Sequence, residues 1–143
     1  MALMQIEHGS PRYQQMVQLR DEVLRKPLGL SFTPEQLEAE KNDILIGAFE
    51  DERILGCCIL TPVDKETVKL RQMAVARKQQ HKGIGWSIMQ FAENLARDKG
   101  FKVVTMNARD TAIGFYQKMG YQVVGDEFIE VTVPHHVMQK RLR

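Results

Sequence analysis

The sequence is short of cysteine, of long apolar runs and of net charge, and each shortage removes a class of function. Its two cysteines, Cys57 and Cys58, are adjacent. Neighbours on a strand point to opposite faces, so bridging them would be badly strained. Two free thiols fit a reducing compartment. No C-x-x-C occurs, and His8, His81, His135 and His136 give no ligand pair at helical spacing, so no metal is expected. The longest apolar stretch, Ile54 to Leu60, is strand-sized and far short of the ~20 residues of a membrane span. The first eight residues lack a basic start followed by an apolar stretch, so the expectation is a cytoplasmic protein without a secretory signal. Twenty Lys and Arg stand against 18 Asp and Glu, and a net charge of +2 implies neither a nucleic-acid nor a membrane partner. With 143 residues, 43% of them hydrophobic, and no repeat or linker, one domain over 1–143 is expected.

What is present reads as alternating strands and helices. Met4 to Glu7 is a short first strand. Ser10-Pro11 then reads as an N-cap with Pro at the first helical position, before a stripe of Tyr13, Met16, Val17, Val23 and Leu24 that also carries Arg20. Thr33-Pro34-Glu35-Gln36 has capping-box spacing and opens a second helix to about Lys41. Ile44 to Glu50 and Arg53 to Leu60 make a hairpin about Asp51-Glu52, and Val68 to Val75 follows. Gly83-Ile84-Gly85 opens an amphipathic helix that stops at Gly100. Phe101 to Met106 is a buried strand, and Asp110 caps a short helix ending at Gly120. Tyr121 to Val124 and Val131 to Gln139 complete the set, with Pro134 at a bulge or an edge. The order β-α-α-β-β-β-α-β-α-β-β predicts a mixed three-layer α/β domain.

The sharpest local feature is Gln80-His81-Lys82-Gly83-Ile84-Gly85, after a strand and before a helix. Free N–H groups and a partial positive charge make a helix N-terminus fit for phosphate, and glycines let a ligand approach the backbone. Arg77, Lys78 and Lys82 add cations. A Walker loop requires Gly-Lys-Ser/Thr, and the dinucleotide fingerprint requires a glycine at Ile88; both are absent. A pyrophosphate on a short loop remains.

Some thirty residues later comes Ala112-Ile113-Gly114-Phe115-Tyr116-Gln117-Lys118-Met119-Gly120-Tyr121. Together the two segments resemble the GNAT superfamily of acyl-CoA-dependent N-acetyltransferases. The loop is similar to its Q/R-x-x-G-x-G/A motif at Gln80, Gly83 and Gly85. The helix is similar to A-x-x-F-Y-x-K-x-G-Y/F at Ala112, Phe115, Tyr116, Lys118, Gly120 and Tyr121. Phe128-Ile129-Glu130 followed by Pro134-His135-His136-Val137-Met138 resembles a small bacterial branch ending in F-x-E-x-x-x-P-H-x-x-M. Many relatives carry Asn where this chain has Arg109.

The resemblance implies a mostly antiparallel sheet with a splayed central strand pair, and direct attack of an amine on the thioester of acetyl-CoA as co-substrate. Amides of His81, Lys82, Gly83, Ile84 and Gly85 would bind the pyrophosphate. Met73, Ala74 and Val75 would pair with the pantetheine arm, and an N–H near Ala74 or Val75 would stabilise the oxyanion. Gln80, Arg109, Ala112, Tyr116 and Lys118 complete the expected cofactor contacts. Tyr116 would protonate the departing thiolate, against a rival reading as a core aromatic. Glu130 and His135 are the candidates for the base; each has a structural reading beside it, a solvated turn acid and a core histidine. Arg20 on an apolar stripe needs a partner or must reach outward, and Arg20 with Arg25 is read as binding an anionic group of the acceptor. The partners expected are acetyl-CoA and an amine acceptor, with the chain a monomer or a homodimer. The rivals are a non-catalytic acyl-CoA sensor and a nucleic-acid module using the basic residues at 77, 78 and 82.

Overall fold

The computed structural model describes residues 1–143 and has the predicted order of elements. Strand β1 (Ala2–Ile6) leads into α1 (Pro11–Arg20), where the Ser10 side chain accepts from the Tyr13 amide. α1 runs on through a π-helical turn, Asp21–Arg25, closed by the Lys26 amide donating to the Asp21 carbonyl. α2 (Pro34–Glu38) starts with both halves of the Thr33/Gln36 capping box in place and stops short of Lys41. β2 (Ile44–Glu50), β3 (Arg53–Pro62) and β4 (Thr67–Val75) form a meander. After α3 (Ile84–Asp98) and β5 (Val103–Arg109), the chain makes α4 (Ile113–Lys118), β6 (Gln122–Glu130) and β7 (Val133–Arg141). No helix is long and apolar enough to cross a membrane.

The seven strands form one sheet in the order β1-β2-β3-β4-β5-β7-β6, antiparallel throughout except between β4 and β5. On one face α3 and α4 cover a core containing Ile46, Cys58, Leu60, Ile88, Met89, Met106, Tyr116 and Met138. On the other, α1 covers Leu45, Phe49, Cys57 and Ile59. The adjacent cysteines therefore enter different cores, as alternation along a strand requires. The fold is a three-layer α/β sandwich.

The parallel pairing of β4 with β5 runs only from Thr67↔Val103 to Leu70↔Met106. Beyond that point β4 stays paired to β3 up to Val75, and β5 to β7 up to Arg109, so the two part company. This is the splayed central pair.

Several boundaries differ from the sequence expectation. β5 begins at Val103 because Phe101 belongs to the α3 exit, its amide donating to the Ala96 carbonyl. Val131 lies outside β7: Val131 and Thr132 form the tight β6–β7 turn at φ 45° and 65°. β7 lies inside the sheet, yet its ladder with β5 starts only at His135. Pro134 pairs with Ile129 alone, so its missing N–H removes no second ladder bond. Asp110 does not cap α4; its carboxylate pairs with His136 Nδ1 at 2.8 Å.

Two expectations follow. Burial pushes the Cys57 thiol up to about 12 and the Cys58 thiol well above its ordinary value, so neither should react with a disulfide reagent such as Ellman's until the protein unfolds; prompt labelling of the native protein would contradict this packing. β-Branched side chains at positive φ are strained, so V131N/T132G, which suits a two-residue hairpin turn, should raise unfolding stability by about 1–3 kcal/mol in urea titrations. A loss of stability would contradict the turn geometry.

Candidate active site

The loop after β4 ends at Gly83, the N-cap of α3, at φ +81°, a conformation that favours glycine. No acidic residue stands in the first turn of α3 and no side chain caps it. Its first amides therefore have no intrahelical partner and present the positive end of a 15-residue helix. Lys78, His81 and Lys82 are exposed around it. A Cβ at Gly85 would meet Phe115 Cζ at 3.4 Å, an ordinary contact, so packing alone does not demand glycine there. The Gln80 side-chain Nε2 donates to the Val75 carbonyl at 3.1 Å and ties the loop to the end of β4.

Where β4 leaves β5 its register against β3 also shifts, between Cys57/Ala74 and Ile59/Arg71. Gln72 lies in this bulge at φ +57°, and its Oε1 is buried without a hydrogen-bond partner. A strained residue with an unsatisfied polar atom is characteristic of a functional position. No sequence pattern marks Gln72. Met73, Ala74 and Val75 follow on the length of β4 that only β3 pairs, so their edge toward β5 has no partner strand.

Tyr116 of α4 approaches from the α3 face. It is buried, edge-on to Phe115 at 5.1 Å and to Tyr121 at 5.8 Å. Tyr121 hydroxyl donates to Glu93 at 2.9 Å. Burial, with a smaller push from Cys58, drives the Tyr116 pKa well above the ordinary phenol range, so the hydroxyl holds its proton at any physiological pH. Ala112 is half-buried at the start of α4, and Lys118 lies exposed at its end, beside Trp86 and Lys140.

The opposite face of the split is charged. Arg71 points there, paired across the ladder with core residue Ile59; Asn107 and Arg109 alternate with Met106 and Ala108, which enter the other core. Arg20 is fully buried, and the structure corrects its expected role. Its two terminal nitrogens donate to Glu40 Oε1 and Oε2 at 2.9 and 2.6 Å, and Tyr13 hydroxyl adds 2.7 Å to Oε1. Its guanidinium therefore serves a partner inside the chain, not an acceptor. An arginine on an apolar stripe demanded such a partner, but nothing local pointed to Glu40, twenty residues on. Arg25 is half-buried; its side chain forms no hydrogen bond or ion pair with the chain and lies 4.5 Å over Phe32, over which Arg20 also sits at 4.6 Å.

Two other expected contacts are redirected. Arg109 donates to the Leu24 carbonyl at 3.2 Å and Arg77 to the Glu22 carbonyl at 3.2 Å. Both clamp the π-helical turn, whose terminal carbonyls need donors. The chain thus turns Arg109 toward the end of α1 instead of the expected cofactor contact. Arg77 likewise leaves the loop's cations to lysine.

Glu130 and His135 do come together. Glu130 Oε1 accepts from Asn107 Nδ2 at 3.1 Å, and Oε2 stands 3.7 Å from His135 Nε2. His135 is buried, stacked on Phe128, with Nδ1 2.7 Å from the Val133 carbonyl. A carbonyl only accepts, so Nδ1 carries a proton and Nε2 is the ring atom that faces Glu130. Nearby, Asp110, Glu127 and His136 each bring one atom within 4.8 Å of the others. Glu127 and His136 beside it hold the Asp110 carboxyl below the ordinary carboxylate range, and Asp110 holds Glu127 above it.

The Arg20–Glu40 pair generates a test. Burial raises the Glu40 pKa, but hydrogen bonds from Arg20 and Tyr13 and the charge of Arg20 outweigh it, and the net shift is downward. Glu40→Ala leaves Arg20 buried and unpaired and should cost about 3–5 kcal/mol in denaturant unfolding. A depressed carboxylate stabilises fully above its unfolded pKa of about 4.3, and the contribution fades as pH falls through the folded value. The deficit of Glu40→Ala should therefore shrink in acid; a deficit below 1 kcal/mol at neutral pH, on the order of a surface pair, would contradict the burial.

Comparison with known proteins agrees with this architecture. Residues 18–142 match the family model described as the acetyltransferase (GNAT) domain. The chain is 30% identical over 123 residues to the uncharacterized N-acetyltransferase YjcF of Bacillus subtilis (strain 168), covering 85% of this chain and 87% of that protein. Other curated relatives are matched over about half their length, 51% for the Bacillus subtilis protein YyaT at 33% identity over 76 residues, 53% of this chain. An aminoglycoside 6'-N-acetyltransferase complexed with coenzyme A superposes with TM-score 0.86 at 16% identity, over 100% of this chain and 98% of that one. A GNAT family acetyltransferase from Elizabethkingia anophelis with acetyl-CoA bound gives 0.75 at 21% identity, over 99% and 97%. The split sheet, the glycine loop and the match over most of its length make this chain a member of the GNAT acetyltransferase family.

Proposed function

We propose that the chain, read as one domain over 1–143, transfers an acetyl group from acetyl-CoA to a primary amine by direct attack in a ternary complex. The observation that carries this is the split itself: β4 and β5 open a slot through the sheet, with a phosphate-fit loop and a protonated tyrosine on one face and a carboxylate on the other. The bound acetyl-CoA of a family member supports the co-substrate. Two buried thiols suit the reducing cytoplasm.

Acetyl-CoA supplies an acyl thioester, a carbonyl open to an amine. The loop amides of His81 to Gly85 hold its pyrophosphate, and the open edge of Met73, Ala74 and Val75 takes its amide-bearing arm as a strand would. An N–H at Ala74 or Val75 stabilises charge on the carbonyl oxygen, a donor worth roughly 3 kcal/mol where its removal has been measured. Glu130 takes the proton that the ammonium form of the acceptor must lose, with His135 Nε2 beside its other oxygen. As the new C–N bond forms and the C–S bond breaks, Tyr116 gives its proton to the departing sulfur, and the second proton on the attacking nitrogen leaves to solvent as the amide forms. A phenol kept neutral by burial is a proton source at neutral pH, and a proton returns from solvent after release.

Tyr116→Phe should bind acetyl-CoA in calorimetry as the parent does and lose about 100-fold in kcat, read as acceptor-dependent thiol release. Unchanged kcat would return Tyr116 to the core, and acetyl-CoA binding without any acceptor-dependent release would leave a sensor and contradict transfer.

A further inference from the structure

The α1 face of the split holds more positive charge than the chain neutralises. Arg71 enters from β4, Arg109 from β5 and Arg25 from the π-helical turn above them. Arg71 has one acid, Asp43, at 3.5 Å, and it also donates to Thr61 Oγ1 at 3.3 Å. Burial raises the Asp43 carboxyl against the opposing pull of Thr61 and Arg71. Arg109 bonds only a neutral carbonyl. Arg25 has no acid within ion-pair distance, and its guanidinium lies over the Phe32 ring, 4.5 Å from the centroid, without a hydrogen bond to the chain. Glu130 also acts on this group of charges, but its Oε1 is engaged by Asn107. Burial first, and then the charges of Arg20, Arg109 and Arg71, lower the Arg25 pKa against the opposing charge of Glu130.

We propose that the acceptor is an amine carrying its own anionic group, a carboxylate or a phosphate, gripped by Arg25 with Arg71 and Arg109 while its amino end faces Glu130. This deepens the acetyl-transfer reading and rests on it for the identity of the site. A planar guanidinium stacked on an aromatic ring is already oriented, so a two-pronged bond to an oxyanion costs little further ordering. Polyamines and other polycationic acceptors meet like charge at the same place, which selects against them.

The test is equilibrium binding in the presence of CoA, using pairs that differ only in the anion: phenylalanine against phenethylamine, and O-phosphoethanolamine against ethanolamine. At least one acid-bearing partner should bind about tenfold tighter or more than its neutral counterpart, and the pair showing the larger gap names the anion. Arg25→Gln should abolish the gap, Arg25→Lys should restore part of it, and Arg53→Gln, an exposed arginine on the β2–β3 hairpin, should keep it. Equal binding within both pairs, no binding of either acid-bearing amine, or a gap that survives Arg25→Gln overturns the proposal. CoA release measured with the same amines and acetyl-CoA tests transfer separately: an Arg25-dependent gap without turnover keeps the anion site and rejects the reaction.

Discussion

Four backbone pairs join β4 to β5, and the function proposed depends on the pairing ending there. A buried sheet edge must satisfy its N–H and C=O groups, so a split inside a sheet is costly unless something supplies partners. Here each half is held from outside, β4 by β3 and β5 by β7, so the strands can diverge without losing their own ladders. The bulge at Gln72 bends β4 just past the last shared pair. One opening then gives two environments: an apolar face under α3 and α4, where a tyrosine stays protonated, and a charged face under α1, where Glu130 meets Asn107 and His135.

The charged face is kept in place by a second constraint, the buried Arg20–Glu40–Tyr13 cluster. It pins the residue just beyond α2 to α1, and Phe32 lies between Arg20 and Arg25 as a shared platform. Arg77 and Arg109 anchor the π-helical turn from two different strand ends. Two neighbouring arginines therefore have opposite fates: Arg20 is neutralised to hold the helices, and Arg25 is held but not neutralised. The difference is one carboxylate.

Local chemistry was legible in the sequence, and long-range pairing was not. The Ser10 cap, the Thr33/Gln36 box and the Gly83 turn are signals written within four residues, and each has its predicted geometry. The opposite facing of Cys57 and Cys58 follows from period two alone. Glu40 as the partner of Arg20, Asn107 as that of Glu130, and the bulge at Gln72 depend on tertiary register, which no short pattern encodes. Arg109 shows the same limit from the other side: its position in the motif pointed to the cofactor, while the Leu24 carbonyl, 85 residues away, takes its side chain. Val131 fitted an alternating strand, and the tight turn overrode its β preference.

The most direct measurement is amide hydrogen exchange, residue by residue, with and without acetyl-CoA. If the split is the binding slot, added acetyl-CoA slows exchange at two places: the β4 amides from Met73 to Val75, and the loop and first turn from Lys82 to Trp86. Protection centred elsewhere, or none at saturating acetyl-CoA, would contradict the role given to the divergence of β4 and β5.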